Sequence, residues 1–243
     1  MAITIYWARL TLMEHLYFAS REIGVLYETE PLIGNYALAY ALELCQAPYF
    51  RDGTPRYKSD LSPLNEQQVY VTPATFVLST LRYTFSQFNG QSDSYYSRFD
   101  PNAIATTPAK KGRAANFPQN GRIRMIGRES QAHFFLLQKQ STPLRLPNYI
   151  RLGKFNSKAR VEWEQLRIMS QQPQHAEHAL DYLINGADLP PQATLRAFSV
   201  FNIPPAPLLA HCHLACAFWQ CQNSAGDSFF LPDGMRFGVD VIA

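Results

Sequence analysis

The residues with the clearest chemical meaning are the basic ones, because they are distributed very unevenly along the 243-residue chain. Residues 101–160 contain twelve Lys and Arg residues but one acid, Glu129, so this segment has a net charge of +11. The remainder has a net charge of −8, which leaves the whole chain at +3. Such a segment indicates a surface that binds polyanions. The twelve residues are Lys110, Lys111, Arg113, Arg122, Arg124, Arg128, Lys139, Arg145, Arg151, Lys154, Lys158 and Arg160.

Several kinds of surface could carry this charge. Phe117, Phe134, Phe135, Tyr149 and Phe155 lie between the bases, and aromatic rings beside cations are typical of base stacking combined with phosphate contact. The pattern favours a nucleic-acid groove, and leaves open a face for an acidic protein or a solvated face balanced by acidic neighbours. A membrane surface is disfavoured, because the bases do not lie on a helix with an apolar opposite face and no lipidation signal occurs.

Three of the four cysteines lie close to two histidines, between His211 and Cys221. Thiolates and imidazoles are zinc ligands, but this spacing lacks the paired C-x-x-C knuckles of structural zinc sites. Free cysteine is among the most buried residue types. We therefore expect a buried strand in which small side chains pack, with no metal and no cofactor.

Catalytic motifs are largely missing from the sequence. It contains no phosphate-binding loop, no H-E-x-x-H and no G-x-S-x-G motif. The remaining chemistry is metal-independent RNA cleavage, in which a histidine deprotonates a 2′-hydroxyl and a lysine stabilises the charged intermediate. His133 is the candidate base, although a histidine ahead of Phe134–Leu137 is more typical of a half-buried strand.

The composition limits the classes of protein to which this chain can belong. Hydrophobic residues make up 47% of the chain, enough for a substantial core. The longest apolar stretches, such as Ala74–Leu81 and Leu208–Trp219, fall short of the roughly 18 to 20 residues that a transmembrane helix needs. Met1–Met13 lacks a basic n-region and a cleavage site, so we expect a cytoplasmic protein.

The N-terminal third predicts a strand followed by a helix. Ile3–Leu12 is rich in β-branched and aromatic residues, which indicates a central strand. Asn35 is predicted to cap a helix that runs to about Gln46, because apolar residues repeat at helical spacing behind it. Glu28 and Glu30 are expected on a surface loop between the two elements.

The middle of the chain predicts strands around a protrusion. Arg51–Glu66 is predicted to be a loop and Gln68–Phe88 to be two strands. Residues 91–121 have no apolar periodicity, and the basic centre at Lys110–Arg113 favours a functional loop. Alternation then places Arg122 and Arg124 on one face of a strand. The same alternation places Lys158 and Arg160 together on another strand.

The C-terminal third predicts a second helix and several strands. His175–Asn185 has an apolar stripe that favours a helix, with His175 and His178 on its solvated face. Leu195–Ile203, Leu208–Gln222 and Ser228–Val241 are strand-like and separated by Pro and Gly. The order of elements predicts an α+β fold with antiparallel sheets, and no linker divides residues 1–243 into two domains.

Two segments carry a family resemblance. Leu16–Leu42 and Asn148–Val161 resemble the two signatures of the Csc-type small backbone subunit of type I-D CRISPR effector complexes. The lengths and order of the elements agree with that family over essentially the whole chain. The glycine-rich loop frequent near the C-terminus of such proteins is weak here, at Pro232–Gly238.

The resemblance implies a RAMP protein of the Cas-five group, with a single ferredoxin-like, RRM-related domain, extra antiparallel strands and a protruding basic thumb at residues 91–121. It implies a non-catalytic subunit that caps the five-prime, repeat-derived handle of the guide RNA. It also implies contacts with the large effector subunit, the backbone-forming RAMP subunit and target double-stranded DNA near the protospacer-adjacent motif. A guide-processing endoribonuclease is the alternative. The expected RNA-binding residues are Arg21, Asn35, Tyr36, Lys110, Lys111, Arg113, Arg122, Arg124, Arg128, Arg151, Lys154, Lys158 and Arg160.

Overall fold

The computed structural model describes residues 3–23, 26–45, 56–89, 120–139 and 144–239. The described chain is mostly β-structure, with two α-helices, α1 (Asn35–Ala41) and α2 (Tyr57–Glu66). The strands, in chain order, are β1 (Thr4–Leu12), β2 (Arg21–Ile23), β3 (Leu26–Glu28), β4 (Leu32–Ile33), β5 (Val69–Val71), β6 (Ala74–Phe76), β7 (Tyr83–Asn89), β8 (Asn120–Ile126), β9 (Gln131–Gln138), β10 (Tyr149–Leu152), β11 (Ser157–Gln165), β12 (Arg167–Ala179), β13 (Ile184–Asn185), β14 (Thr194–Phe201), β15 (Leu208–Gln222) and β16 (Ser228–Pro232).

The central sheet is antiparallel and has the order β10-β11-β1-β9-β6-β4, with β5 also paired to β9. The predicted central strand at Ile3–Leu12 is confirmed, because β1 lies between β11 and β9. Leu10 and Phe134 are fully buried on one face of this sheet, and Ile5 and Phe135 on the other. β1 and β9 are therefore covered by apolar side chains on both faces.

The small sheet has the order β2-β3-β8-β7, and the β3–β8 pair is parallel. Ile123 and Met125 of β8 are buried, whereas Arg122 is exposed and Arg124 half-buried on the opposite face. The predicted alternation is therefore confirmed. The predicted thumb, residues 91–121, joins β7 to β8 and lies outside the described residues apart from the last two.

The C-terminal sheet is built on β15, which pairs antiparallel with β12, β13, β14 and β16. Cys212, Cys216 and Cys221 are buried on β15, as predicted, and burial raises the pKa of their thiols to about 11, 12 and 12. Among the described residues, no group of His, Cys, Asp and Glu side chains is placed to hold a metal ion.

The predicted second helix at His175–Asn185 is wrong. Its first half belongs to β12, which pairs with β15 from Arg167↔Gln222 to Ala179↔His213. Nine cross-strand pairs with β15, interrupted by register shifts after Ile168 and after Gln172, outweigh a weak helical stripe. His178 consequently lies on a strand, where its ring stacks on Phe230 at 3.7 Å.

The helices also differ from the predictions. Gly34, not Asn35, is the N-cap of α1, which ends at Ala41, five residues before the predicted end at Gln46. The predicted loop at Arg51–Glu66 contains α2, whose single buried pair, Leu61 and Leu64, is too short a pattern to stand out around Pro63. In the part of the chain that the structure describes, neither helix is long and apolar enough to cross a membrane.

Candidate nucleic-acid interface

The outer face of the central sheet collects basic side chains from three strands. On β10 and β11, exposed or half-exposed positions alternate with buried Ile150, Leu152, Ala159 and Val161. Cross-strand pairs place Tyr149 opposite Arg160, and Arg151 opposite Lys158, so all four side chains share one face. We name the basic face by its residues: Arg9, Arg128, Tyr149, Arg151, Lys158 and Arg160.

A cleft of about 410 Å³ lies on the basic face. Its lining includes Arg128, Arg160 and Tyr149, which is 53% exposed. Thr11 contributes a buried hydroxyl that has no hydrogen-bond partner among the described residues. Cations, an exposed aromatic ring and a hydroxyl are the groups that bind the phosphate and base of single-stranded RNA. The remaining lining residues are Leu12, Met13 and Glu129.

Three cations of the basic face, Arg9, Arg151 and Arg160, form ion pairs with exposed carboxylates. Glu162 lies 3.0 Å from Arg9 and 3.8 Å from Arg160, and Glu14 lies 3.5 Å from Arg151. Lys158 Nζ sits 4.4 Å from the centre of the Tyr149 ring. Exposed ion pairs contribute at most about 1 kcal/mol each. A phosphate group can therefore replace these carboxylates at small cost.

Arg9 is the member of the basic face that the sequence analysis missed. It lies on β1 between buried Ala8 and Leu10, opposite His133 on β9. The sequence carries a signal for it, because Arg9 is the one charged residue in the alternating strand Ile3–Leu12. Arg9 lies outside the +11 segment of residues 101–160, so the charge distribution alone does not indicate it.

The small sheet positions its arginines differently. Glu28 is buried, so the predicted surface position of Glu28 is wrong. Its carboxylate lies 3.4 Å from Arg124 and 3.9 Å from Arg21, and Glu30 lies 3.6 Å from Arg21. Arg124 also stacks on the Tyr83 ring, 4.6 Å from its centre. Arg124 is therefore committed to its partners, whereas Arg21 is exposed and forms only long ion pairs, and Arg122 is exposed on the same sheet.

Asn35 and Tyr36 are buried, 1% and 2% exposed, around the carboxylate of Asp188. Asn35 Nδ2 donates at 2.6 Å, Tyr70 OH at 2.9 Å, Tyr36 OH at 3.2 Å and the Gly238 amide at 2.7 Å. Burial raises the pKa of Asp188 to about 6, against these hydrogen bonds, which lower it. We call this group the Asp188 hub. Its side chains hold the fold together, so a contact with RNA by Asn35 or Tyr36 stays a prediction.

An apolar pocket of about 400 Å³ adjoins the hub, and we call it the α1 pocket. Asn35, Tyr36 and Lys154, three of the predicted RNA-binding residues, line it together. The structure thus separates the described predicted residues into three places: the basic face, the small sheet and the α1 pocket. Lys110, Lys111 and Arg113 lie outside the described residues.

His133 is half-buried beside Phe135, with the two ring centres 6.4 Å apart. Burial lowers the pKa of its imidazole, and the charge of Asp181 raises it. The ring is therefore neutral at pH 7 and could accept a proton. Its cross-strand neighbours are Arg9 and Thr75.

Comparison with known proteins gives the family. Residues 3–240 match the family described as type I-D CRISPR-associated protein Cas5/Csc1. No curated protein sequence gives a significant match. The fold is similar to a chain in a cryo-EM structure of the type III-B Cmr-beta bound to cognate target RNA and AMPPnP, with a TM-score of 0.41 and 8% identity over 86% of each chain. It is also similar to a CRISPR protein from Archaeoglobus fulgidus, with a TM-score of 0.40 and 12% identity over 95% of this chain and 100% of that one.

The two structural likenesses are remote, so the assignment rests on the family match, which extends over almost the whole chain. It confirms the resemblance of Leu16–Leu42 and Asn148–Val161. The chain belongs to the type I-D CRISPR-associated Cas5/Csc1 family.

Proposed function

We propose that this protein is a non-catalytic subunit of a type I-D CRISPR effector complex, where it binds the five-prime, repeat-derived handle of the guide RNA. The observation that carries the proposal is the cleft of the basic face, which is lined by Arg128, Arg160 and exposed Tyr149. Cations beside an aromatic ring are the groups that contact the phosphates and bases of a single strand.

The same proposal includes the protein and DNA partners. We propose that the large effector subunit and the backbone-forming RAMP subunit contact this chain, and that it lies near target double-stranded DNA beside the protospacer-adjacent motif. Family membership supports an assembly of this kind, in the cytoplasm of a prokaryote. The basic thumb and the ferredoxin-like topology belong to this proposal too.

The absence of catalysis is part of the proposal. The alternative is a metal-independent endoribonuclease with His133 as the base. Such an enzyme needs a cation beside the base to stabilise the charged intermediate, and Arg9 occupies the neighbouring strand position. Cleavage of repeat RNA in EDTA by the assembled complex, lost in His133→Ala, would establish the alternative. Intact RNA in both proteins supports the binding role.

Charge reversal tests the binding role. The double variant Arg128→Glu/Arg160→Glu, coexpressed with the neighbouring effector subunits and a repeat-spacer RNA, is expected to lose most of the copurifying guide RNA. Arg167→Glu/Arg196→Glu is the matched control, because it reverses two exposed arginines of the C-terminal sheet, on β12 and β14. Each lost phosphate contact should lower the slope of log affinity against log salt by about 0.7. Unchanged retention in a folded double variant contradicts the proposal.

A further inference from the structure

The α1 pocket has the lining of a site for a flat apolar group. The pocket has a volume of about 400 Å³, and its lining includes Phe18, Tyr40, Tyr57, Ile203 and Leu208. Ligand pockets in proteins measure about 300 to 1,000 Å³ and are lined mainly by apolar and aromatic side chains. A cavity of about 150 Å³ already takes benzene, so the α1 pocket has room for the two fused rings of a purine.

The aromatic wall of the pocket is built before any ligand arrives. The rings of Tyr36 and Tyr57 lie 5.3 Å apart, and those of Tyr40 and Tyr57 lie 6.3 Å apart. Tyr40 OH donates to Asp60 at 2.8 Å, which ties α1 to α2. Because the rings are already held by one another, stacking a ligand on them costs little conformational entropy.

The two side-chain amides of the pocket, Asn35 and Asn185, form hydrogen bonds within the protein. Asn35 Oδ1 accepts from Asn185 Nδ2 at 3.1 Å, while Asn35 Nδ2 donates to Asp188. Asn185 Oδ1 accepts from the Ala187 amide at 3.0 Å. These amides are therefore engaged and do not present an arrangement that reads the edge of a base. A group bound here is recognised by its ring face and size.

The charge at the pocket is cationic. Among the described residues that line it, Lys154 carries the one charge, and no acid is present. Its backbone is fixed, because the Lys154 amide donates to Tyr17 O at 2.8 Å and a Cβ at Gly153 would meet the same oxygen at 2.5 Å. An apolar floor with a positive rim suits a ring that carries an anionic tail, which is the chemistry of a nucleotide.

One hairpin joins the pocket to the basic face. Lys154 lies in the turn between β10 and β11, the hairpin that also carries Arg151 and Lys158. A single strand that crosses the basic face can therefore reach the pocket around the tip of that hairpin.

We propose that the α1 pocket receives one unstacked nucleobase of the RNA held on the basic face, with Lys154 beside its phosphate, and accepts purines and pyrimidines alike. The inference rests on the proposed function, because the RNA must already be bound. The pocket adds a single extruded position to a surface that otherwise binds along the backbone.

Site-specific crosslinking tests this inference in the assembled complex. Guide RNAs that carry 4-thiouridine at one handle position each are irradiated, and the crosslinked peptides are mapped. One position is expected to crosslink to peptides that contain Phe18, Tyr40 or Tyr57. Ala37→Trp and Ile203→Trp fill the pocket from two different elements and should lower that crosslink about 10-fold, with other positions unchanged. Gln67→Trp is the control, because it adds the same ring on the exposed end of α2.

Each outcome separates the two proposals. An absence of handle RNA from the wild-type complex contradicts the proposed function, and the inference fails with it. Retained RNA with crosslinks outside the pocket, or crosslinks in both filled variants as strong as in the wild type, overturns the inference alone. Loss of a protein subunit from both filled variants, with RNA crosslinks unchanged, would show that the pocket receives a protein side chain. Replacing the extruded base by each of the other three should leave retention unchanged, and a strong preference for one base contradicts the claimed tolerance.

Discussion

The Asp188 hub and the basic face both gather polar groups from several elements, but they differ in their contact with water. Around Asp188, side chains from α1 and β5 and a backbone amide donate to one fully buried carboxylate. On the basic face, the side chains of Arg9, Glu162, Arg160 and Arg151 keep 41% to 63% of their surface exposed.

The difference in burial determines which polar residues are available to a ligand. Buried groups that satisfy one another stabilise the fold and are costly to disturb. Exposed ion pairs are weak and exchange readily with phosphate. Mutations in the Asp188 hub should therefore lower stability, whereas mutations on the basic face should change RNA binding.

The largest expected effect is on the stability of the hub. Asp188→Ala removes the acceptor of four donors and leaves them buried, so the free energy of unfolding should fall by about 3 kcal/mol. Glu162→Ala, on the basic face, should cost less than about 1 kcal/mol. Denaturant unfolding of both variants measures the difference. Equal losses would mean that burial does not separate the two regions.

The next effect is on RNA binding at the basic face. Tyr149→Ala removes the exposed ring of the cleft, and the affinity for handle RNA should fall about 10-fold, because stacking contributes about 1 to 3 kcal/mol per base. Stability should change little, since the ring is more than half exposed. Filter binding at fixed salt measures the loss. Phe198→Ala, also exposed but on β14, is the control, and a similar loss there would remove the special role of the cleft.

The hub should also make stability depend on pH. The pKa of Asp188 is raised to about 6 in the folded protein from an ordinary 3.8, so the folded state binds the proton more tightly than the unfolded state. Stability therefore rises as pH falls through 6, by about 1 kcal/mol between pH 7 and pH 5. Below pH 3.8, the ordinary pKa of the carboxyl, the gain in stability is complete. Thermal unfolding of wild type and Asp188→Asn isolates this contribution, because the other titrating groups are shared. Identical pH dependence would exclude Asp188 as its source.

The sequence allowed the basic face to be predicted better than the hub, and the reason is geometric. Strand alternation is local, so the outward direction of Arg122 and Arg160 could be inferred from their apolar neighbours. Asp188 meets Asn35 only through the folded chain, 153 positions away, and no local pattern indicates that contact. The same limit explains β12, where pairing with distant β15 decided the structure against a local helical stripe.

The division into α+β with antiparallel sheets was predicted correctly in outline, because most strands carry their own alternation. The parallel β3–β8 pair, the burial of Glu28 and helix α2 were missed, since each depends on contacts between separate elements. A single domain over residues 1–243 stays a prediction.

The smallest expected effect is a gain in binding. Glu162 neutralises Arg9 and Arg160 at 3.0 and 3.8 Å, so RNA must displace it to reach either cation. Glu162→Gln keeps the size of the side chain and removes its charge, and affinity should rise about 2-fold to 3-fold, the equivalent of one weak exposed ion pair. Glu177→Gln, exposed on β12, changes the net charge equally and is the matched control. Glu162 can compete with phosphate only where the phosphate binds, so Glu177→Gln should leave the affinity unchanged. If both variants bind RNA equally tightly, overall charge and not the basic face governs binding.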